Sequence, residues 1–361
     1  MIKRDTILLT GGTGMVGSFM LYLLLLKGHK VFCLVRKNPG VSSRKRVVDV
    51  LKFWGGKNFL AKKHLRFLNV IDGDITKVKL GVSSIVQEKL CREINAIFHF
   101  AALTNFKCSS EILTDVNIRG TRNILDFGVN CLHHGNRVKV YHMSTAYVCG
   151  SYKGRFSEAD FDLGQSFTIP YEWSKFEAEK IVRQYRGKGL EVDILRAPAI
   201  IGEAATGKAL TFSQSFYQAL RILSKRIFSE LPCKNTSFNI VFIDDLCKSI
   251  YRIFSKSTLK NSCYHLFNST PLPVDNFLLL ASKFLRIKAP KFIYPNRKWQ
   301  KKLTATERAI LKFNFSFLSR KLKLDSRKTN RYLQEIGFQF LEYKNNHLKK
   351  ILFYMKNSKA I

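Results

Sequence analysis

The chain has 361 residues, 46% of them hydrophobic, and a formal net charge of +35. This length and apolar content can bury a large core, in one big domain or in two joined ones. The sequence excludes a membrane span, because the longest apolar run covers only residues 19–26, and no signal-peptide pattern precedes the first predicted strand.

The positive charge is spread along the chain and is densest in residues 291–361, which hold eighteen Lys or Arg against four Asp or Glu. Such basicity suits nucleic acid, anionic lipid or an acidic carrier protein. No zinc finger, RNP aromatic pair or basic zipper accompanies it, so we predict no nucleic-acid partner. A basic solvated surface without any partner explains the charge equally well.

Apolar runs alternate with helical patterns over the first 200 residues. The predicted strands are Thr6–Leu9, Lys30–Val35, His64–Asp72, Ala96–Phe100, Val138–Met143 and Glu191–Leu195. The predicted helices between them are Val16–Lys27, Ser84–Glu93, Thr114–Cys131 and Tyr171–Tyr185. The strands lack polar alternation, which is typical of parallel strands covered on both faces. This pattern predicts an α/β fold, a doubly wound parallel sheet of the Rossmann type.

Helices dominate after Gly202. They are predicted at Ala209–Ser224, Asp245–Phe254 and Val274–Leu285, with short strands at Asn239–Phe242 and Tyr264–Phe267. We therefore predict a nucleotide-binding Rossmann domain over 1–203 and a smaller, mostly helical substrate-binding domain over 204–361. Residues 239–255 are expected to return to the Rossmann domain.

A glycine-rich turn, Thr10-Gly11-Gly12-Thr13-Gly14-Met15-Val16-Gly17, joins the first strand to the first helix. Glycines let the backbone approach a pyrophosphate, and the helix N-terminus offers it unpaired N–H groups and a partial positive charge. The candidate contacts are Gly11, Thr13, Gly14, Met15, Val16 and Gly17. The turn predicts a dinucleotide cofactor.

The end of the second strand carries Arg36, where an NAD enzyme usually has an acidic residue for the ribose 2′-hydroxyl. A basic side chain can instead meet a 2′-phosphate, and the run Arg44-Lys45-Arg46 follows. We therefore expect NADPH rather than NAD. After the third strand, Asp74 and Ile75 fit a turn beside the adenine. After the fourth, Ala101 and Ala102 are small enough for the backbone to pass close to the cofactor.

Three residues are expected to carry the chemistry: Thr145, Tyr171 and Lys175. Positions 171 and 175 share one face of a helix. A free tyrosine has a pKa near ~10, and a nearby ammonium and a nicotinamide cation both favour phenolate. We therefore expect Lys175 to lower the pKa of Tyr171 and also to bind the nicotinamide ribose, while the Thr145 hydroxyl holds the carbonyl oxygen.

Together these motifs resemble the extended short-chain dehydrogenases/reductases, from residue 6 to about residue 270. The resemblance assigns Gly11, Gly14 and Gly17 to the phosphate turn, Asp74 to adenine and Ala101 to the nicotinamide side. The family's catalytic hydroxyl lies five residues before the glycine at 150, which selects Thr145 over Ser144. It also implies that Asn117 supports the lysine or a water. The cofactor contacts further include Ser144, Tyr171, Lys175 and Pro198, the last being displaced by one position from the family's Arg-Pro pattern.

Within that superfamily the chain resembles the thioester reductases and fatty acyl-CoA reductases (the male sterility branch). The similar segments are Cys33-Leu34-Val35-Arg36, Ser144-Thr145-Ala146-Tyr147-Val148, residues 171–179, 303–307 and 324–330. The resemblance implies NADPH-dependent reduction of an acyl thioester, carried on CoA or acyl carrier protein, to an aldehyde or alcohol. Both carriers are acidic and would be attracted to a basic protein.

Other functions stay open from the sequence. A nucleotide-sugar epimerase/dehydratase or a hydroxysteroid-type dehydrogenase would use the same Thr, Tyr and Lys, and Arg221, Lys225 and Arg226 could grip a diphosphate. A non-catalytic nucleotide-binding scaffold would need only the fold. Contact of residues 348–355 with a membrane surface, docking of that segment as a terminal helix, and a homodimer are also left open.

The cysteines indicate a reducing compartment. They stand at positions 33, 91, 108, 131, 149, 233, 247 and 263, without Cys-x-x-Cys or metal-ligand spacing. We predict reduced, packed thiols, no metal site and a cytoplasmic location.

Overall fold

The computed structural model describes residues 4–59, 64–105, 108–213, 215–294, 299, 301, 303–311 and 322–361. They divide into two units, which are described separately. The first unit comprises the chain up to Ser151, Phe161–Arg196 and Cys247–His265. The second comprises Tyr152–Asp160, Ala197–Leu246 and the chain from Leu266 onward.

The strands of the second unit are only two or three residues long. The strands are β1 (Thr6–Thr10), β2 (Lys30–Val35), β3 (Leu68–Asp72), β4 (Ala96–His99), β5 (Lys139–Thr145), β6 (Arg155–Phe156), β7 (Glu191–Ala197), β8 (Ala199–Ile201), β9 (Glu230–Leu231), β10 (Ser237–Phe238), β11 (Ile240–Phe242), β12 (Cys263–His265), β13 (Leu272–Pro273), β14 (Lys291–Phe292) and β15 (Lys323–Leu324).

Helices connect these strands. The α-helices are α1 (Met15–Leu26), α2 (Ser43–Phe59), α3 (Ser84–Glu93), α4 (Ser110–Leu113), α5 (Gly120–His133), α6 (Pro170–Arg186), α7 (Ser215–Ser224), α8 (Ile243–Lys256), α9 (Val274–Leu285), α10 (Ala305–Leu311), α11 (Arg327–Glu335) and α12 (Asn345–Asn357). Short 3₁₀ turns cover Leu65–Phe67, Val78–Gly81 and Ala146–Cys149, and a π-helical turn covers Thr114–Arg119.

A seven-stranded parallel sheet, in the order β12–β7–β5–β4–β1–β2–β3, forms the centre of the first unit. Its apolar strands bury both faces, so residues such as Leu8, Ile97, Val140 and Ile194 have no solvent exposure. The predicted doubly wound α/β fold is confirmed. The strand order changes direction between β1 and β4, and in such sheets ligands bind at the carboxyl ends of the strands at that point.

Several local elements differ from the predictions. The strand predicted from His64 begins only at Leu68, because Leu65–Phe67 form a 3₁₀ turn. The helix predicted over Thr114–Cys131 is a π-helical turn followed by α5. Helix α2 was not predicted, because its sequence is rich in Lys and Arg and its apolar residues on the buried face form only a narrow stripe of Val47, Leu51 and Trp54.

The second unit combines several two-stranded pairs with helices. The pairs are β8–β11, β10–β13, β9–β14 and β6–β15. Helix α12 buries Leu348, Ile351, Leu352 and Met355, so the apolar face that membrane contact would need lies inside this unit, as expected of a docked terminal helix. Among the described helices, none is both long and apolar enough to cross a bilayer.

A buried carboxylate fastens helix α6 to the sheet of the first unit. Glu179 has no solvent exposure and accepts hydrogen bonds from Ser144 Oγ on β5 at 2.9 Å, Arg196 Nη2 on β7 at 2.6 Å and Arg183 Nη2 at 2.9 Å. Burial alone would raise the pKa of Glu179, but the two guanidinium groups hold it at about 2. The carboxylate therefore stays ionised and joins three elements.

Replacing this charge should destabilise the protein. We expect Glu179→Gln to lower the free energy of unfolding by about 3 kcal/mol at pH 7, because the buried Arg196 loses its counter-charge. Since the folded-state pKa of Glu179 is lowered, its contribution is fully present above pH 4.5 and fades as the pH falls toward 2. Urea unfolding at several pH values measures both effects.

Glu177→Gln is the matched control, because Glu177 lies on the same helix, is only half-buried and has no ion-pair partner among the described residues. Its effect should stay within about 0.5 kcal/mol. Equal destabilisation by the two variants would contradict the role assigned to Glu179.

Candidate active site

Two glycines at the turn between β1 and α1 lie in places too tightly packed for a side chain. Gly11 has a φ of 75°, and a Cβ there would lie 2.6 Å from the backbone nitrogen of Ala101. A Cβ on Gly17 would lie 2.1 Å from the Gly11 carbonyl oxygen. The turn after β1 is therefore held directly against the turn after β4, and helix α1 against the turn after β1.

The N-terminus of α1 fits a pyrophosphate. The helix begins at Met15 after Gly14, has no capping side chain and carries no acidic residue in its first turn. No side chain of the described residues accepts a hydrogen bond from its first N–H groups, and no acidic residue of the first turn would repel an anion there. The residues Thr13, Gly14, Met15, Val16 and Gly17 would hold the phosphates of a dinucleotide, whose nicotinamide ring supplies hydride chemistry when bound.

Two arginines meet at the carboxyl end of β2. Arg36 is exposed just after the strand, and Arg46 of α2 donates to the Arg36 carbonyl oxygen at 2.7 Å and to Thr13 Oγ1 at 3.4 Å. Lys45 points elsewhere and pairs with Asp49 at 2.8 Å. Of the basic run 44–46, the structure therefore brings Arg46 to the glycine turn.

The turn after β3 is fixed by Asp74. Its Oδ1 accepts from the Thr76 N–H at 2.9 Å and the Thr76 hydroxyl at 2.8 Å, and its Oδ2 has no partner among the described residues. The Ile75 side chain is buried, and a Cβ on Gly120 would lie 2.7 Å from it. Asp74 thus retains an oxygen that can accept from a base, whereas the Ile75 side chain packs against α5.

A directional chain of hydrogen bonds starts at the predicted cofactor loop. The Ala101 N–H donates to Thr10 Oγ1 at 3.2 Å, and Thr10 Oγ1 lies 2.9 Å from His99 Nδ1. On the other side of the ring, His99 Nε2 lies 3.1 Å from Thr121 Oγ1, which donates to the Asn117 carbonyl oxygen. Burial lowers the pKa of His99 to about 3, and the Lys175 ammonium adds to the effect. The neutral ring therefore donates from Nε2 and accepts at Nδ1.

Asn117 connects this chain to helix α6. Its Oδ1 accepts from the Leu103 N–H at 2.8 Å, and its Nδ2 donates to Ser174 Oγ at 2.9 Å. The Ser174 hydroxyl in turn donates to the Tyr171 carbonyl oxygen at 2.8 Å. In this structure Asn117 therefore supports the backbone around Tyr171, where the resemblance implied support of the lysine or a water.

Sequence reasoning missed His99, Thr121 and Ser174 as parts of the site. The signal for His99 was present, because a histidine that ends a fully buried apolar strand needs hydrogen-bond partners. No sequence signal identifies which residues those partners are, since Thr10 lies 89 positions away.

The three predicted catalytic residues lie on two neighbouring elements. Thr145 ends β5, and its Oγ1 accepts from the Tyr147 N–H at 3.3 Å to start the following 3₁₀ turn. Tyr171 lies in the first turn of α6, whose N-terminal dipole favours negative charge. Lys175, one turn later, is almost fully buried, and its Nζ donates to the Met143 carbonyl oxygen on β5 at 2.7 Å.

The expected lowering of the Tyr171 pKa is not found. Burial raises the pKa of Tyr171, and the neighbouring Glu172 carboxylate adds to the rise. The Lys175 ammonium is turned toward Met143, and burial lowers its own pKa to about 8, opposed by Glu179. Without a bound cofactor, Tyr171 is therefore a protonated phenol, which is the form that a proton donor requires.

Ser144 and Pro198, which were also predicted to contact the cofactor, lie in surroundings that the sequence did not indicate. The Ser144 side chain is buried and donates to Glu179, so it points toward the carboxylate that fastens α6. Pro198 is buried in the second unit, between β7 and β8. No group of three or more metal-binding side chains is present in the described ranges.

Known proteins resemble the chain in sequence over part of their length. A linear gramicidin synthase protein of Brevibacillus parabrevis is 27% identical over 281 residues, which are 75% of this chain and 5% of that protein. The alcohol-forming fatty acyl-CoA reductase of Simmondsia chinensis is 30% identical over 180 residues, 46% of this chain and 35% of that protein. The chain spans well under two-thirds of either relative.

Solved structures share the fold. The terminal R domain from the myxalamid PKS-NRPS biosynthetic pathway is 24% identical, with a TM-score of 0.83 over 99% of this chain and 92% of that one. The NAD-bound UDP-glucuronic acid 4-epimerase of Bacillus cereus is 18% identical, with a TM-score of 0.69 over 98% and 97%.

The sequence profile of one protein family covers both the glycine turn and the Tyr-x-x-x-Lys helix. It is the profile described as male sterility protein, and it matches residues 9–250, about two-thirds of the chain. The match also includes Arg36, Asp74 and Thr145, so the residues assembled above lie inside it. This chain belongs to the male sterility protein family.

Proposed function

We propose that this protein is an NADPH-dependent oxidoreductase that reduces an acyl thioester, carried on CoA or on an acyl carrier protein, to an aldehyde or alcohol. The observation that carries the proposal is the anchoring of α6 to the end of β5 through Lys175 and the Met143 carbonyl oxygen. It sets the tyrosine helix beside the strand that ends in Thr145, in the same unit as the glycine turn.

The side chains supply what such a reduction needs besides hydride. As hydride reaches the carbonyl carbon, Tyr171 gives its proton to the oxygen, and the Thr145 hydroxyl holds that oxygen by a hydrogen bond. The carbon–sulfur bond then breaks, the thiol leaves with a proton and an aldehyde remains. A second hydride and proton would convert the aldehyde to an alcohol.

The thioester is supported by the relatives' names. One is named a fatty acyl-CoA reductase, and another belongs to a gramicidin synthase. The two carriers share a phosphopantetheine thiol, and a net charge of +35 would attract both. This favours a carrier-bound substrate over a free carbonyl compound.

A sugar nucleotide is less well supported. Of the residues that could grip a diphosphate, Arg221 donates through Nε to the Ala360 carbonyl oxygen at 3.2 Å and through Nη1 to the Phe212 carbonyl oxygen at 3.3 Å. These backbone contacts already occupy much of its guanidinium group.

The substrate class is tested by NADPH oxidation with palmitoyl-CoA, an acyl carrier protein thioester or UDP-glucose. We expect oxidation with a thioester and release of free thiol, measured with a thiol reagent. Tyr171→Phe should lower kcat by at least about 100-fold without weakening NADPH binding, because only the proton donor is lost. Conversion of UDP-glucose without thioester turnover would overturn the proposal.

The pH dependence should report on Lys175. Since burial lowers its pKa to about 8, the ammonium is present below that pH and is lost above it, so kcat/KM should fall as the pH rises through 8. Tyr171 stays protonated over this range because its pKa is raised. Lys175→Arg should move the fall to higher pH, since guanidinium stays charged. If kcat/KM of Lys175→Arg still falls at the same pH, the fall is due to a group other than Lys175.

Cofactor preference should depend on the two arginines at the end of β2. Arg36→Asp and Arg46→Glu should each lower the ratio of kcat/KM for NADPH to that for NADH by about tenfold or more, the typical value of a charge-assisted hydrogen bond. Lys45→Glu is the matched control, because Lys45 pairs with Asp49. A ratio unchanged in the arginine variants would argue against a 2′-phosphate contact.

A further inference from the structure

Two thiols meet at the C-terminal ends of α3 and α5, outside the residues of the candidate active site. Cys91 and Cys131 are both fully buried, and their Sγ atoms lie 3.3 Å apart although 40 positions separate them in the sequence. A disulfide has an S–S distance of about 2.05 Å, so the two atoms need to approach by only ~1.2 Å. The pair is therefore close to bonding geometry in its reduced form.

Hydrogen-bond donors converge on one of the two sulfurs. Cys131 Sγ donates to Cys91 Sγ, and Asn130 Nδ2 donates to the same atom at 3.4 Å. The Cys131 bond lowers the pKa of Cys91, helped by His134 and opposed by burial and Glu88, while donation raises the pKa of Cys131. The two thiols are thus unequal: Cys91 is the better thiolate, and Cys131 keeps its proton.

The surrounding backbone holds this arrangement in place. Asn136 Nδ2 donates to the Cys91 carbonyl oxygen at 2.7 Å, and the Asn136 N–H donates to the Cys131 carbonyl oxygen at 3.0 Å. His134 is exposed and Asn130 is half-buried. Asn130, which donates to Cys91 Sγ, therefore separates the fully buried pair from solvent, and a small oxidant would need the last turn of α5 to open locally.

We propose that Cys91 and Cys131 form a reversible disulfide site for peroxides, with Cys91 as the attacking thiolate and Cys131 as the resolving thiol. The Cys91 sulfur attacks one peroxide oxygen, the O–O bond breaks, and a sulfenic acid and water result. The Cys131 sulfur then displaces the hydroxyl from Cys91 as a second water and forms the S–S bond. One hydrogen peroxide is reduced and two thiols are oxidised.

The bond would join α3 to α5 and close a long loop in the unfolded chain. A cross-link over 40 positions restricts the unfolded state strongly, so the oxidised first unit should be the more stable form. Oxidation would thus change the stability of the unit that carries the glycine turn without using any residue of the proposed chemistry.

The test treats the reduced 361-residue chain with one equivalent of hydrogen peroxide, then unfolds it in denaturant and blocks its free thiols with N-ethylmaleimide. We expect two fewer N-ethylmaleimide adducts than on the reduced protein, one cross-linked peptide containing Cys91 and Cys131, reversal by dithiothreitol, and a rise in the Tm of the oxidised, unblocked protein on the order of 5 °C. Peptide mapping of the wild-type protein is sufficient to decide whether Cys91 and Cys131 form a disulfide, without any variant.

Variants assign the two roles. Cys131→Ser should trap a dimedone-reactive sulfenic acid at Cys91, whereas Cys91→Ser should leave Cys131 unreacted. Cys108→Ser, at a half-buried cysteine outside the pair, is the matched control and should keep the cross-link. Peroxide modification at other cysteines while Cys91 and Cys131 remain open to alkylation would overturn the proposal.

Discussion

The contact between the Lys175 ammonium and the Met143 carbonyl oxygen fixes the position of the tyrosine helix, and the proposed chemistry depends on it. A buried ammonium is costly, so its charge must be held by a partner. Glu179, one turn farther along α6, supplies a counter-charge in the same buried layer. Lys175, the cation assigned to the proposed reaction, and Glu179, the anion that fastens the helix, are thus neighbours on one helix face, so losing the anion would make the buried ammonium less stable.

The hydrogen bonds around His99 perform a related task without charge. They run from the backbone of Ala101 to the carbonyl oxygen of Asn117, and the Asn117 side chain continues to Ser174. Because the imidazole is neutral, it donates from one ring nitrogen and accepts at the other, so each hydrogen bond in the network has a single direction. A network with fixed directions holds the loop after β4 and the start of α6 in one geometry, which is what a site for hydride transfer requires.

The sheet could be predicted from the sequence because its strands are buried on both faces and therefore appear as continuous apolar runs. Helix α2 was missed because only one narrow stripe of it is buried, and β3 was started too early because apolar residues also occur in the 3₁₀ turn before it. The glycine turn and the Tyr171/Lys175 pair are local motifs, so they could be recognised in the sequence. The raised pKa of Tyr171 could not be predicted, because it results mainly from burial in the folded chain, to which the neighbouring Glu172 adds.

The burial of α12 has a consequence for synthesis on the ribosome. The last strand of the central sheet, β12, ends at His265, whereas α12 begins at Asn345. At translation rates of about 5–20 residues per second, the roughly 80 residues between them take about 4–16 s to emerge. During that interval the first unit has all its strands, while the second unit still exposes the apolar surface that Leu348 and Ile351 will cover. Nascent chains of this length therefore expose apolar surface that the folded chain buries.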